Sequence, residues 1–220
     1  MSRLLPIFPL GTVLFPGATL NLHIFEERYR LMIGRCLEER SPFGVVLIRE
    51  GDEVEEGRLD ARPAEPYAIG TMARISADMR LDDGRYLLTA LGTGRFRIEA
   101  ITQRLPYMVA AVVELPESTP ADVAVVADEV RATYDRYWQA VASATGVEVE
   151  AGELPRDPTR LGYYLADRLQ VTMALKQHWL ECDLVTRLRE IAANLRAELA
   201  LLPYGRRDTS EGPSGMGSLN

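Results

Sequence analysis

The dominant hydrophobic period of this chain changes near residue 116, with one helical stretch, Glu26 to Arg40, ahead of it. Up to that point apolar residues recur at every second position in short runs broken by turn residues. Beyond it they recur at every third or fourth. The first pattern is that of half-buried strands and the second that of amphipathic helices. One chain carrying both in series, rather than alternating, is expected to be α+β.

In the first part, Leu20, Leu22 and Ile24 fall on one face of a strand and Asn21, His23 and Phe25 on the other. Phe15-Pro16-Gly17 ahead of it suits a tight turn, because proline fixes φ and glycine accepts a positive φ. Glu26 to Arg40 has a helical period, with Tyr29, Met32, Ile33, Cys36 and Leu37 on one face, and Ser41-Pro42 ends it. Phe43 to Ile48 reads as a buried strand. Gly51 to Ala68, rich in acidic residues and proline, reads as an exposed loop. Further strands are expected at Ile69–Ser76, Arg85–Leu91, Arg95–Ile101 and Tyr107–Leu115. Asp82-Asp83-Gly84 predicts a type I′ hairpin, and Gly92-Thr93-Gly94 a second turn. Phe96, Ile98 and Ala100 should point inward. Six or seven short strands joined mostly by hairpins predict a small barrel or sandwich over residues 1–116.

Residues 117–202 predict a helical bundle. Thr119-Pro120-Ala121-Asp122 resembles a capping box, followed by a stripe through Val123, Val126, Val130, Tyr134, Tyr137 and Val141 up to Gly146. Asp157-Pro158, Thr172 and Asp183 are expected to start three more helices. The last carries a stripe of Leu184, Leu188, Ile191, Leu195, Leu199 and Leu202. Residues 203–220, rich in Gly and Ser, read as a disordered tail.

Composition narrows the function. The chain has 220 residues, 47% of them apolar, with a net charge of −7. That charge disfavours nucleic acid as a partner, since phosphate contacts need an excess of Lys and Arg. No apolar run reaches the length of a membrane span, and the amino terminus meets Pro6 without a long apolar stretch. A cytoplasmic, non-membrane protein is therefore expected. Cys36 and Cys182 are too few and too far apart for a disulfide framework or a zinc ribbon.

The candidate chemistry is sparse. The only lysine, Lys176, stands between Leu175 and Gln177, so these residues hold no phosphate-binding Gly-Lys-Ser/Thr loop. A serine–lysine dyad would need the same lysine, which lies in an expected helix with no strained serine turn near it. Gly92-Thr93-Gly94 lacks the third glycine of a dinucleotide fingerprint, since Arg97 takes that place. His178 and Cys182 have metal-ligand spacing, but a zinc site needs a third ligand, and no metal or cofactor is expected. His23 with Glu26 and Glu27 is the best acid/base cluster, and a small hydrolase is the alternative it supports. Glu26 and Arg30, four apart, equally suit an ordinary helix pair. Pro16, Gly17, Glu26 and Arg30 then read as a structural corner. Arg85, Arg95, Arg97 and Arg104, interleaved with acidic residues, read as a solvated face.

Several stretches together resemble one family. They are Pro9-Leu10, Leu14-Phe15-Pro16-Gly17, Leu20-x-Leu22-x-Ile24-Phe25-Glu26-x-Arg28-Tyr29 and Gly70-Thr71-x-Ala73-Arg74-Ile75. Leu91-Gly92-x-Gly94-Arg95-Phe96-Arg97-Ile98 and Ala174-Leu175-Lys176-Gln177-x-x-Leu180-Glu181-x-Asp183 complete the set. Their order resembles the amino-terminal, substrate-binding domain of ATP-dependent Lon protease, with Trp179 in place of a leucine. The resemblance implies a PUA-like pseudobarrel followed by a helical bundle, in a free-standing bacterial Lon-domain protein. It implies binding of unfolded or partner polypeptides, beside a separate protease or chaperone. It does not carry over peptidase activity, because the residues for that activity are absent. The fold implied leaves RNA binding as a further alternative. Phe25, Tyr107, Tyr163, Tyr164 and Trp179 are the aromatic candidates for polypeptide anchors, and each also suits core packing.

Overall fold

The computed structural model describes residues 2–51, 63–146 and 152–202. Most of the acidic segment and the glycine-rich tail from residue 203 lie outside the described residues.

A ring of strands is built first. Strand β1 (Arg3–Leu10) pairs antiparallel with β7 (Met108–Leu115), Leu5 opposite Ala110. On its other edge β1 pairs parallel with β3 (Phe43–Glu50), Ile7 opposite Gly44. β3 continues to β5 (Ile69–Arg80), β5 to β6 (Tyr86–Gln103), and β6 back to β7, all antiparallel. The β1–β3 pairing thus closes five strands on themselves, which removes their edges. β2 (Thr19–Ile24) lies on the first half of β6, Leu22 opposite Leu88. The two-residue β4 (Glu65–Pro66) pairs with β3.

The interior of the ring holds Leu5, Ile7, Val46, Met72, Phe96 and Val112. Helix α1 (Glu27–Glu39) presents Tyr29, Met32, Ile33 and Cys36 to a second cluster with Phe8, Phe43 and Leu88. The Tyr29 and Phe8 rings stand 4.1 Å apart at their centroids. This is the face the helical period marks. β2 also follows its alternation, with Ile24 buried and Asn21 and His23 exposed.

Three local expectations are corrected. First, Gly92 to Gly94 form no turn; β6 runs through them as one 18-residue strand. The glycine serves close approach. Its carbonyl accepts from Gly17 N and its own N–H donates to Ala18, both at 2.9 Å. A Cβ on Gly92 would lie 2.4 Å from the Phe15 carbonyl oxygen. Second, the hairpin after β5 is not type I′. Gly84 N–H bonds Leu81 O, and only Gly84, not Asp82 or Asp83, has positive φ. That is a type I turn followed by a left-handed glycine. Third, Ala100 is exposed, because the β6–β7 register shifts between Ile98 and Ala100. A bulge inserts one residue and ends the simple alternation.

Four helices follow: α2 (Val123–Thr145), α3 (Pro158–Arg168), α4 (Met173–Glu181) and α5 (Leu184–Leu201). Asp157, Thr172 and Asp183 accept at their carboxylates or hydroxyl from Arg160, Leu175 and Thr186 N–H, as helix caps do. α2 departs from expectation: it starts at Val123, and Asp122 makes no side-chain cap bond. Its end at left-handed Gly146 is as expected. The helices share a core of Val130, Leu161, Trp179, Leu188 and Ile191 that also takes in Phe15 and Leu47. They therefore cover part of the ring's outer surface. Among the described residues, no helix is long and apolar enough to cross a membrane.

Gly92→Ala should lower unfolding stability by about 1–3 kcal/mol, because the contact is with backbone that cannot yield cheaply. Gly94→Ala, whose Cβ would meet only the tip of Met72 at 3.5 Å, should stay within about 1 kcal/mol. Urea titrations of both variants check this, and equal losses would refute the docking role of Gly92.

Candidate functional site

An open groove of about 560 Å³ runs along the seam between the strand ring and the helices. One lip is the turn Pro16 to Thr19, and the other is α3 with the segment leading into it.

Local chemistry fixes the first lip. Proline at the second turn position and Gly17 at φ +84 form a type II turn, closed by Ala18 N–H to Phe15 O at 3.1 Å. The turn is then fastened to β6 through Gly92, and to β5 by Thr71 Oγ1 donating to Leu14 O at 2.6 Å. On the second lip, Asp157 and Pro158 start α3. The segment before it is held from α2, where one Arg131 nitrogen donates to the carbonyls of Pro155 and Arg156, both at 2.8 Å.

Tyr163 and Tyr164 then point in different directions. Tyr163 goes inward, with its hydroxyl donating to Glu117. Tyr164 stays partly exposed in the groove, with the Arg168 guanidinium 4.2 Å from its ring centroid. Arg160, Tyr164 and Arg168 are spaced four apart, so one face of α3 carries all three. Leu154 and Pro155 add apolar surface, and Glu153 and Asp167 are the groove's carboxylates.

Beneath the groove lies a buried charge cluster. Glu117, just after β7, is shared by Arg95 at 3.3 Å and Arg187 at 3.1 Å. Arg187 also donates to Trp179 O at 2.6 Å and Cys182 O at 2.8 Å. Arg95 donates to Leu180 O at 2.8 Å and Cys182 O at 3.0 Å. Two guanidinia thus cap the carboxy-terminal end of α4, where orphan carbonyls concentrate negative potential. The Arg187 guanidinium also sits 4.2 Å from the Tyr163 ring centroid. Burial pushes the Tyr163 phenol far above its ordinary pKa, so it stays a neutral donor to Glu117. Arg95 is therefore no part of a solvated face, correcting that expectation. It points out of the ring, but the helices cover it.

The sequence candidates are scattered by the fold. Trp179 is fully enclosed, and its indole N–H donates to Glu190 at 3.1 Å. Tyr107 is buried beside a smaller cleft of about 260 Å³. Phe25 is exposed beyond the end of β2, 5.8 Å from the His23 ring. Only Tyr163 and Tyr164 meet in one groove, together with Pro16 and Gly17. At the corner, Glu26 is buried and accepts two bonds from Arg28 at 3.0 Å, while Arg30 donates to Asp83 O. His23 and Glu27 are exposed. His178 lies 3.0 Å from Glu190, and the Cys182 thiol, raised to about 11 by burial, contacts Trp179 O. Among the described residues no three potential metal ligands come together. Sequence reasoning passed over Glu117, Arg156, Arg160, Arg168 and Arg187. The four-residue spacing of Arg160, Tyr164 and Arg168 was the available signal; the Glu117 contacts span 22 to 70 residues and leave none.

A strand ring joined to helices through a buried ionic cluster is a two-part α+β architecture with an open groove at the seam. The chain belongs to the family of the ATP-dependent protease La (LON) substrate-binding domain, whose profile matches residues 4–195. It is 26% identical over 212 residues to Lon protease 2 of Myxococcus xanthus, covering 94% of this chain and 25% of that protein. Lon protease 2 of Sorangium cellulosum is 29% identical over 228 residues, covering 96% and 27%. The chain thus spans about a quarter of the length of these relatives. A crystal structure of a Lon N-terminal domain protein from Xanthomonas campestris superposes with a TM-score of 0.59 at 27% identity, covering 87% of this chain and 98% of that one. The N-terminal domain of a Mycobacterium avium complex Lon protease shares the fold, with a TM-score of 0.60 at 19% identity, covering 88% and 98%.

Glu117→Ala leaves two buried guanidinia without their carboxylate. It should cost about 3–5 kcal/mol, against about 1 kcal/mol for the exposed cap variant Asp183→Ala. Chemical denaturation checks both. Hydrogen bonds from Thr186 hold the Asp183 carboxyl below its ordinary pKa. Its contribution is therefore complete above that ordinary value and lost as pH falls through the lowered one. The stability gap between Asp183→Ala and the parent should shrink over that acid range.

Proposed function

We propose that this chain is a polypeptide-binding module that acts without catalysis of its own. The single observation that carries this reading is the open groove at the seam, in a chain whose family is the Lon substrate-binding domain. An open groove with an aromatic side chain on its wall suits a chain segment laid along it. The strand ring is read as a PUA-like pseudobarrel over residues 1–116, with the helical bundle over 117–202 as its partner lobe. Within the aromatic set, Tyr164 is the anchor best supported, since it is the more exposed of the two tyrosines that line the groove. Phe25 is a second, separate contact. The hydrolase alternative, His23 with Glu26 or Glu27, has less support, since Glu26 is buried and engaged by Arg28. The net charge of −7 weighs against RNA. The reading places the protein in a bacterial cytoplasm, passing bound segments to a separate protease or chaperone.

Tyr164→Ala should weaken binding of a permanently unfolded reporter protein about tenfold or more, as loss of an aromatic anchor does. Its melting temperature should change little, because the side chain is only partly buried. Anisotropy of the labelled reporter checks this. Unchanged affinity in a folded Tyr164→Ala variant would remove the groove from the reading.

A further inference from the structure

The polypeptide-binding reading leaves the groove's charges unused. Arg156, Arg160 and Arg168 all line it. None of the three has a carboxylate ion-pair partner among the described residues. Among the described residues the groove's carboxylates are Glu153 and Asp167, which leaves these lining residues one positive charge in excess, on a chain whose net charge is −7. Arg168 stacks on Tyr164, which leaves the edge of its guanidinium free to donate to a carboxylate.

The spacing is informative. Arg160 and Arg168 are eight residues apart on one helix, about 12 Å along the axis. In an extended chain, side chains at i and i+4 share a face and lie about 13 Å apart, with i+2 between them on the same face. Tyr164 occupies the corresponding midpoint on α3.

We propose that the groove selects extended polypeptide segments of the pattern acidic–x–apolar–x–acidic. The two carboxylates meet Arg160 and Arg168, and the central apolar or aromatic side chain rests on Tyr164. This inference rests on the polypeptide-binding reading and specifies its substrate class. The occupant is argued from charge complementarity and spacing together. Either alone would also suit an unpatterned anionic polymer.

The test uses the full chain and labelled, unstructured peptides with the core Asp-Ser-Phe-Ser-Asp. The controls carry Asn for both Asp, or the two Asp at i and i+3. The Asp peptide should bind at least about tenfold tighter than the Asn peptide, a difference of about 1.4 kcal/mol. Its affinity should fall with added salt while that of the Asn peptide does not. The combined variant Arg160→Gln and Arg168→Gln should bind the two peptides equally, with the melting temperature of the parent. Equal affinity of the parent chain for the Asp and Asn peptides would overturn the acidic preference, while binding of an unfolded reporter would still support the broader reading. Failure to bind either peptide or the reporter defeats both. Tighter binding of a single-stranded RNA that displaces the Asp peptide would also overturn the proposal, by making the groove a nucleic-acid site.

Discussion

One carboxylate, Glu117, joins the two halves of this molecule. It sits where the last strand gives way to the helices, and it is held by an arginine from each half, Arg95 and Arg187. Two guanidinia against one carboxylate leave a positive charge in a buried site, which alone would be costly. The excess is met by the carbonyls of Trp179, Leu180 and Cys182 at the end of α4. A helix carboxy terminus carries about half an elementary negative charge, so it offsets about half of that excess. Neither half completes the arrangement alone, since the ring supplies Arg95 and the helices supply Arg187 and the capped helix end. Gln177 adds a further tie, donating from α4 to Ile69 O at the start of β5.

This arrangement explains what the sequence revealed and what it concealed. Helix starts were legible where their chemistry is local: Asp157, Thr172 and Asp183 bond an N–H three residues on. The α1 face was legible because burial there follows a single helical period. Gly92 was misread because its reason is a segment 75 residues earlier, the Pro16–Gly17 turn that docks on it. Nothing within Leu91 to Arg95 distinguishes a glycine that turns from one that makes room.

Arg95 and Phe96 show the same limit more sharply. Alternation puts adjacent strand residues on opposite faces, and both of these are buried. Phe96 fills the ring, while Arg95 lies on the outside, beneath α4 and α5. A period of two identifies two faces but not which of them another part of the chain will cover. A charged residue beside a core aromatic then reads as solvated, although here it is the anchor of the covering helices. The groove was half legible for a related reason. Its aromatic pair, Tyr163-Tyr164, and its turn, Pro16-Gly17, were both visible in the sequence, but their meeting depends on Phe15 packing against Tyr163, with ring centroids 6.2 Å apart.

The two tyrosines connect the buried cluster to the open groove. Tyr163 spends its hydroxyl on Glu117 and its ring face on Arg187, so the rotation of α3 about its own axis is fixed from below. Tyr164, the next residue, is thereby fixed in the opposite sense, toward the groove, and Arg160 and Arg168 follow from the helical repeat. The opposing lip is equally constrained, since Gly92 and Thr71 hold the Pro16 turn against two strands of the ring. A groove whose walls are both set by buried polar bonds keeps its width and charge spacing before anything enters it. Binding to such a site forfeits less ordering entropy than binding to mobile loops. Selectivity for a spaced pattern, rather than for apolar surface in general, requires that rigidity. Loosening the Glu117 cluster would therefore blur the spacing of the α3 arginines before it emptied the groove.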